Sequence, residues 1–128
     1  MSGADHFDEG KPRLDLIPHE AILGMGLVFD AGARKYSDRN WEKGMPLGKL
    51  YASAMRHLVA WQSGNDIDAE SGLPHLAHAL TNIAMLYALS LRRPDLDNRW
   101  YNVAHESNQR TTQSDTAQSA RALEAPGC

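Results

Sequence analysis

The amino-acid sequence is poor in three features that would each direct a protein to a particular setting. It has one cysteine, Cys128, which excludes an intrachain disulfide framework and fits a reducing cytoplasm. Its 13 basic and 16 acidic residues leave a net charge of −3, which provides no positive surface for duplex nucleic acid. No apolar run approaches the length of a membrane span, and the acidic start lacks the apolar centre of a signal peptide. We therefore expect a cytoplasmic protein without nucleic-acid or membrane partners.

The sequence also lacks any long alternation of apolar and polar residues, so no β-strand is predicted. Apolar residues at helical spacing predict three main helices instead, beginning at Pro18, at Lys49 and at Pro74, with shorter helices between them. Gly32 is expected to end the first helix, and Pro94 limits the third. The predicted fold class is all-α, a small helical bundle completed by oligomerisation.

A single folded domain is expected from a length of 128 residues. Residues 1–10 have the composition of a flexible arm, and residues 11–100 form the predicted all-α domain. Residues 101–128 form a tail rich in Gln, Ser and Thr, predicted to be disordered or weakly helical because it has few apolar side chains to bury.

Residues 56–82 concentrate side chains of the kinds that bind divalent cations. Two His residues three positions apart share one face of the third helix. Alternating carboxylates precede them in a loop and would point the same way if that segment were extended. The predicted metal site, with mixed oxygen and imidazole ligands, is His57, Asp66, Asp68, Glu70, His75 and His78. The alternative is that the His pair lies on a solvated face and that His57 is a core residue.

The third helix has two apolar sides in the sequence. The more apolar side consists of Leu76, Leu80, Ala84, Tyr87 and Leu91. On another side, the stripe of His75, His78 and Asn82 continues into Leu86 and Leu89. A stripe that ends in leucines should be covered at that end, so we expect the His pair to line a cleft.

Residues 32–48 form a loop or a broken helix in which cations alternate with aromatic rings, among them Lys35, Tyr36 and Trp41. Such a segment suits a ligand with phosphates and a flat base, because the cations meet the phosphates while a ring stacks on the base. Trp41 could instead be a packing anchor of a small domain. Lys11 and Arg13 alternate near the start of the chain, where they could face one anion or simply be solvated.

Four segments, GKPRLDLIP, GARKYSDRNWEKG, MRHLVAW and DIDAESGLPHLAHA, occur in an order that resembles the phage dATP/dGTP diphosphohydrolase family, also called MazZ and grouped with the MazG-like all-α nucleotide pyrophosphohydrolases. The resemblance spans about residues 10–90. It implies hydrolysis of a purine deoxynucleoside triphosphate to the monophosphate and pyrophosphate, in a phage nucleotide metabolism that favours 2-aminoadenine. It also implies Mg²⁺ or Mn²⁺, a homo-oligomer (dimer or tetramer) with sites at subunit interfaces, and a place in the host cytoplasm.

The sequence departs from the MazG-like pattern at its metal ligands. The ExxE and ExxD strings of those proteins are absent, so their ligand set cannot be transferred, and Asn65 stands where Glu is common. We expect a water molecule to attack the α-phosphorus with help from the catalytic candidates Asp68, Glu70 and His78. The phosphate-binding candidates are Lys11, Arg13, Lys35 and Arg56, and those for the base or sugar are Tyr36, Asn40 and Trp41.

Three other functions compete with this prediction. An HD-type metallophosphohydrolase also uses His and Asp ligands, but the chain contains no adjacent His-Asp pair. A non-catalytic nucleotide-binding module would use the same cations and Trp41 without turnover. A helical interaction protein would need none of the His and carboxylate side chains of residues 56–82.

Overall fold

The computed structural model describes residues 3–101, and that part of the chain is all-helical. It contains the three main helices α1 (His19–Lys35), α2 (Leu47–Gln62) and α3 (His75–Arg92). Short 3-10 turns occur at Leu14–Leu16, Asn40–Lys43 and Pro94–Leu96. Within the described range the extended backbone pairs only at an isolated bridge between Ile67 and Pro74. The predicted all-α class is confirmed, and the predicted tail lies outside the described residues apart from Tyr101.

Each main helix starts directly after a proline, at Pro18, Pro46 and Pro74. Proline suits this position because its fixed φ leads into the helix and it has no N–H to leave unpaired. The prediction that Gly32 ends α1 is wrong, since the helix continues to Lys35. A glycine costs a helix about 1 kcal/mol but ends it only when it turns into the left-handed region. Gly64 does so after α2, with φ +94.

Helix α3 is the centre of the fold, because it packs against both α1 and α2 while those two helices contact each other little. The core is built from Leu47, Leu50 and Leu89, with Trp41 and Met85 packed against it. Gly24 lies on the side of α1 that faces α3, since a Cβ added there would contact Cβ of Ala77 at 3.4 Å.

The two sides of α3 differ sharply in exposure. The stripe that carries His75 and Asn82 is buried, and Leu89 at its end is 1% exposed, so the expected cover over this stripe is confirmed. The side that is more apolar in sequence is instead open. We call it the outer face of α3, and its side chains are 40–54% exposed: Leu76, Leu80, Ile83, Tyr87 and Leu91.

No helix within residues 3–101 combines the length and the apolar character needed to cross a bilayer.

Candidate active site

Three imidazoles converge where α2 ends and α3 begins. The Nδ1 atoms of His57 and His75 lie 2.9 Å apart. The ring of His78 stacks on that of His57, with centroids 4.5 Å apart and planes 9° apart. Helix α2 supplies one of these rings and α3 supplies two, so the cluster depends on the packing of the two helices. The predicted convergence of imidazoles from two helices is therefore present.

The protons in this cluster follow from its hydrogen bonds. One of the two facing Nδ1 atoms must donate and the other accept. Nε2 of His75 is buried and has no hydrogen-bond partner among the described residues. A buried N–H without an acceptor is more costly than a bare lone pair, so His75 donates from Nδ1 and keeps Nε2 unprotonated. Burial lowers the pKa of His57, and the neighbouring His78 and His75 lower it further.

The acidic loop contributes Asp68 to the cluster through Ser71. The Ser71 Oγ lies 2.8 Å from Oδ2 of Asp68 and 2.6 Å from Nε2 of His78. Asp68 Oδ2 and His78 Nε2 are themselves 3.5 Å apart, and both side chains are largely buried. The hydrogen bond from Ser71 is the main cause of a lowered pKa at Asp68. Asp68 is thus held as a carboxylate beside His78.

The other two acids of the loop stay outside this arrangement. Backbone bonds close the loop into a turn, with Asp68 N–H donating to Leu73 O and Gly72 N–H to Asp68 O. The segment is therefore not extended through Glu70, and the three carboxylates do not share one direction. Asp66 and Glu70 have exposed side chains on this loop.

The fit to a divalent cation depends on the oxygen ligands. Among residues 3–101 no group of three or more His, Cys, Asp or Glu side chains is arranged to hold a metal ion. His57 and His75 direct nitrogens at each other, as described above. Mg²⁺, however, is commonly held by one or two carboxylates together with substrate phosphates and water, without a preformed protein cage. Asp66 and Glu70 are the exposed carboxylates of the loop that a cation held in this way would use.

A cavity of about 570 Å³ lies beside the second half of α1. Its walls come from α1, the α1–α2 loop and α3, and they include Tyr36, Asn40 and Trp41, which the sequence predicts as base-binding residues. The volume is within the range of small-molecule sites. Trp41 is held from two sides, by Phe29 with ring centroids 6.1 Å apart and by the Arg92 guanidinium 5.4 Å from the ring centre.

The cavity and the imidazole cluster share helix α3. Thr81 lines the cavity and lies three residues after His78. Residues at this spacing are neighbours on a helix surface, about 5–6 Å apart between Cβ atoms. The cavity wall and the imidazole cluster therefore lie on adjacent turns of α3.

The predicted phosphate-binding cations are spread more widely. Arg56 is exposed next to His57, and its charge contributes to the lowered pKa of that residue. The ammonium of Lys35 lies 5.3 Å from the centre of the Tyr36 ring at the cavity. Lys11 and Arg13 are exposed on the segment before α1, and Arg13 forms an ion pair with Asp15 at 2.7 Å.

Sequence reasoning missed three residues at these sites. Ser71 connects Asp68 to His78. Asp, Ser and Gly in this segment indicate a turn, but they do not indicate which side chains the turn brings together. Arg39 and Glu42 line the cavity beside Trp41. Arg39 belongs to the predicted series of cations and aromatic rings in residues 32–48, but it was not among the phosphate-binding candidates.

Comparison with known proteins shows the family of the chain. Residues 2–99 match the family model described as dATP/dGTP diphosphohydrolase, N-terminal. The chain belongs to the dATP/dGTP diphosphohydrolase N-terminal family. One relative, named dATP/dGTP diphosphohydrolase, comes from Salmonella phage PMBT28 and is 34% identical over 98 residues. That alignment covers 77% of this chain and 33% of the relative, so the chain spans about a third of that curated protein's length. No solved structure matches the chain.

Proposed function

We propose that the chain is a metal-dependent pyrophosphohydrolase that converts dGTP or dATP to the monophosphate and pyrophosphate. The observation that carries this proposal is that helix α3 contributes to two sites. It lines the aromatic cavity, and about one helical turn away it supplies two His residues of the imidazole and carboxylate cluster. The name of the phage relative supports purine deoxynucleoside triphosphates as substrates. The all-helical architecture is compatible with a place among the MazG-like enzymes.

The cavity would receive the base and sugar. Trp41 would provide the aromatic ring that stacks on the base, and contacts with Phe29 and Arg92 fix its position at the cavity wall. Asn40 can both donate and accept hydrogen bonds at a purine edge. Tyr36 lines the same cavity, and its hydroxyl can form a hydrogen bond with the sugar.

The triphosphate would extend from the cavity toward the imidazole cluster. Lys35 lies beside Tyr36 at the cavity and Arg56 lies next to His57, so these two cations are the phosphate-binding candidates at the cavity and at the cluster. Lys11 and Arg13, on the segment before α1, stay predicted phosphate-binding residues. When bound, Mg²⁺ or Mn²⁺ supplies charge neutralisation on the phosphates. Asp66 and Glu70 are the residues best placed to hold it, because their carboxylates are exposed. That His57, Asp68, His75 and His78 complete one ligand set with them stays a prediction.

The chemistry needs an attacking water and a group that takes its proton. The water oxygen forms a bond to the α-phosphorus while the bond to the α–β bridging oxygen breaks and pyrophosphate leaves. We assign the proton to His78, because imidazole is the most common general base near neutral pH. Asp68 serves better as a fixed anion that stabilises the resulting imidazolium, since its lowered pKa makes it a weak base.

A second copy of the chain is the proposed cover of the outer face of α3. Its large apolar side chains are 40–54% exposed, and an exposed apolar face of this kind is commonly covered by another protein surface. The outer face is symmetric in spacing about Ile83 and Ala84, so two antiparallel α3 helices would match their ends. Tyr87→Glu should shift the chain toward monomer in sedimentation, whereas Leu23→Lys on α1 should not. Equal sedimentation of wild type and Tyr87→Glu would exclude this interface.

Activity is tested by measuring pyrophosphate and monophosphate from dGTP and dATP with Mg²⁺ or Mn²⁺. His78→Ala and Asp68→Ala should each lower kcat by about 100-fold or more. His19→Ala, which removes an exposed His at the start of α1, should leave the rate unchanged. Inorganic triphosphate as product would identify an HD-type reaction instead. Binding of dGTP without turnover would identify a nucleotide-binding module.

The biological setting follows from the substrates. The phage origin of the relative supports a role in the host cytoplasm, where removal of dATP and production of dGMP would favour 2-aminoadenine over adenine in phage DNA.

A further inference from the structure

We infer that Ser71 is a positioning residue that holds His78 as the Nε2–H tautomer, so that Nδ1 is the nitrogen that receives the proton from water. The inference about the tautomer stands on the hydrogen bonds alone, and its consequence for catalysis rests on the proposed function.

The hydroxyl of Ser71 can form only a limited number of hydrogen bonds. It has one proton to donate and two lone pairs to accept with. Three polar groups lie within hydrogen-bond distance of Ser71 Oγ: Oδ2 of Asp68 at 2.8 Å, Nε2 of His78 at 2.6 Å and the backbone N–H of Leu73 at 3.2 Å. The hydroxyl can satisfy all three if it donates once and accepts twice.

The direction of each bond then follows. The carboxylate of Asp68 can only accept, and the N–H of Leu73 can only donate. If the hydroxyl proton went to His78, the Ser71 oxygen and the Asp68 oxygen would face each other at 2.8 Å without a proton between them. Such a contact between acceptors is repulsive, so the hydroxyl donates to Asp68 and accepts from His78. His78 must therefore carry a proton on Nε2.

The loop keeps Ser71 in this position. Its own backbone N–H donates to Oδ2 of Asp68 at 3.2 Å, so the serine and the aspartate are joined twice. The ring of His78 is also fixed by its stack on His57. A neutral imidazole protonated on Nε2 has its lone pair on Nδ1. The hydroxyl is thus a connection between the carboxylate and the imidazole, and the reacting nitrogen is on the other side of the ring.

The tautomer is measured directly by nitrogen-15 NMR of the His side chains in the whole chain, above the pH at which the imidazoles protonate. His78 is assigned by comparison with His78→Gln. Wild type should show His78 protonated on Nε2, and Ser71→Ala should show a changed ratio of tautomers. Wild-type His78 protonated on Nδ1 would overturn the inference, whether or not the chain hydrolyses nucleotides.

The kinetic consequence is measured with dGTP. Ser71→Ala should lower kcat by about tenfold with KM changed by less than about threefold, because a positioning role affects the reaction more than binding. Ser71→Thr retains the hydroxyl and should recover most of the rate. Ser63→Ala is the matched control, since that exposed hydroxyl donates only to the α2 backbone. Wild-type kcat in Ser71→Ala would contradict the inference, whereas a wild-type chain without turnover would contradict the proposed function.

Discussion

Two leucines on opposite sides of α3 offer a sharp test of the fold. Leu89 is 1% exposed and lies in the core with Leu47 and Leu50, whereas Leu80 on the outer face is 40% exposed. The same substitution, Leu→Ala, can therefore be compared on one helix. At Leu89 it removes apolar contacts and leaves a cavity, for which losses of about 2–5 kcal/mol are typical. At Leu80 no closed cavity forms, and we expect a loss of about 1 kcal/mol or less.

The assay is urea unfolding followed by circular dichroism. It is run at a concentration at which sedimentation shows a monomer. Leu89→Ala should lower the free energy of unfolding by about 3 kcal/mol and Tm by about 12–24 °C for a domain of this size. The loss at Leu80→Ala should grow with protein concentration if a second copy covers the outer face. Equal losses in the two monomeric variants would refute the assignment of the two faces of α3.

Three further predictions concern protonation, stacking and backbone geometry. Because the pKa of His57 is lower in the folded state, the unfolded chain binds more protons as the pH falls below about 6.5. Tm should therefore fall as pH is lowered from 7.5 to 5.5. His57→Gln should reduce the slope of Tm against pH in matched thermal scans. Trp41→Ala should weaken dGTP binding by about 5–150-fold in calorimetry while Trp41→Phe retains most of it, and equal affinities would contradict stacking in the cavity. Gly44→Ala should destabilise by about 1–3 kcal/mol, because Gly44 has φ +92 and the new Cβ would lie 2.8 Å from Cδ1 of Leu96. Gly26→Ala, with open space at a helical position, should instead stabilise by up to about 1 kcal/mol in urea unfolding.

Local sequence signals predicted the helical class and two of the three main helix starts, but not how the helices pack. Helical spacing and the prolines before each helix predict the class and the starts of α1 and α3 well. The end of α1 was not predictable from Gly32, because a glycine ends a helix only if the following backbone turns away. Which apolar side of α3 is covered depends on where α1 and α2 lie, and the composition of one helix does not contain that information.

Part of the candidate site was also predictable from the sequence, and part was not. The pairing of His75 and His78 follows from their spacing on a helix. Their approach to His57 depends on how α2 packs against α3, and the sequence indicated it only through the concentration of metal-binding side chains in residues 56–82. The path of the acidic loop does not follow from residue spacing, because backbone hydrogen bonds and Gly72, with φ +73, determine it. That turn brings Ser71 to His78 and leaves Glu70 exposed, which no spacing rule predicts.

The position of bond cleavage tests the central claim most directly. Hydrolysis of dGTP in water enriched in oxygen-18 with Mg²⁺ or Mn²⁺ is followed by mass spectrometry of both products. Attack at the α-phosphorus predicts one heavy oxygen in dGMP, unlabelled pyrophosphate and equal amounts of the two products. Label in pyrophosphate, release of inorganic triphosphate, or no product from the wild-type chain would contradict the account.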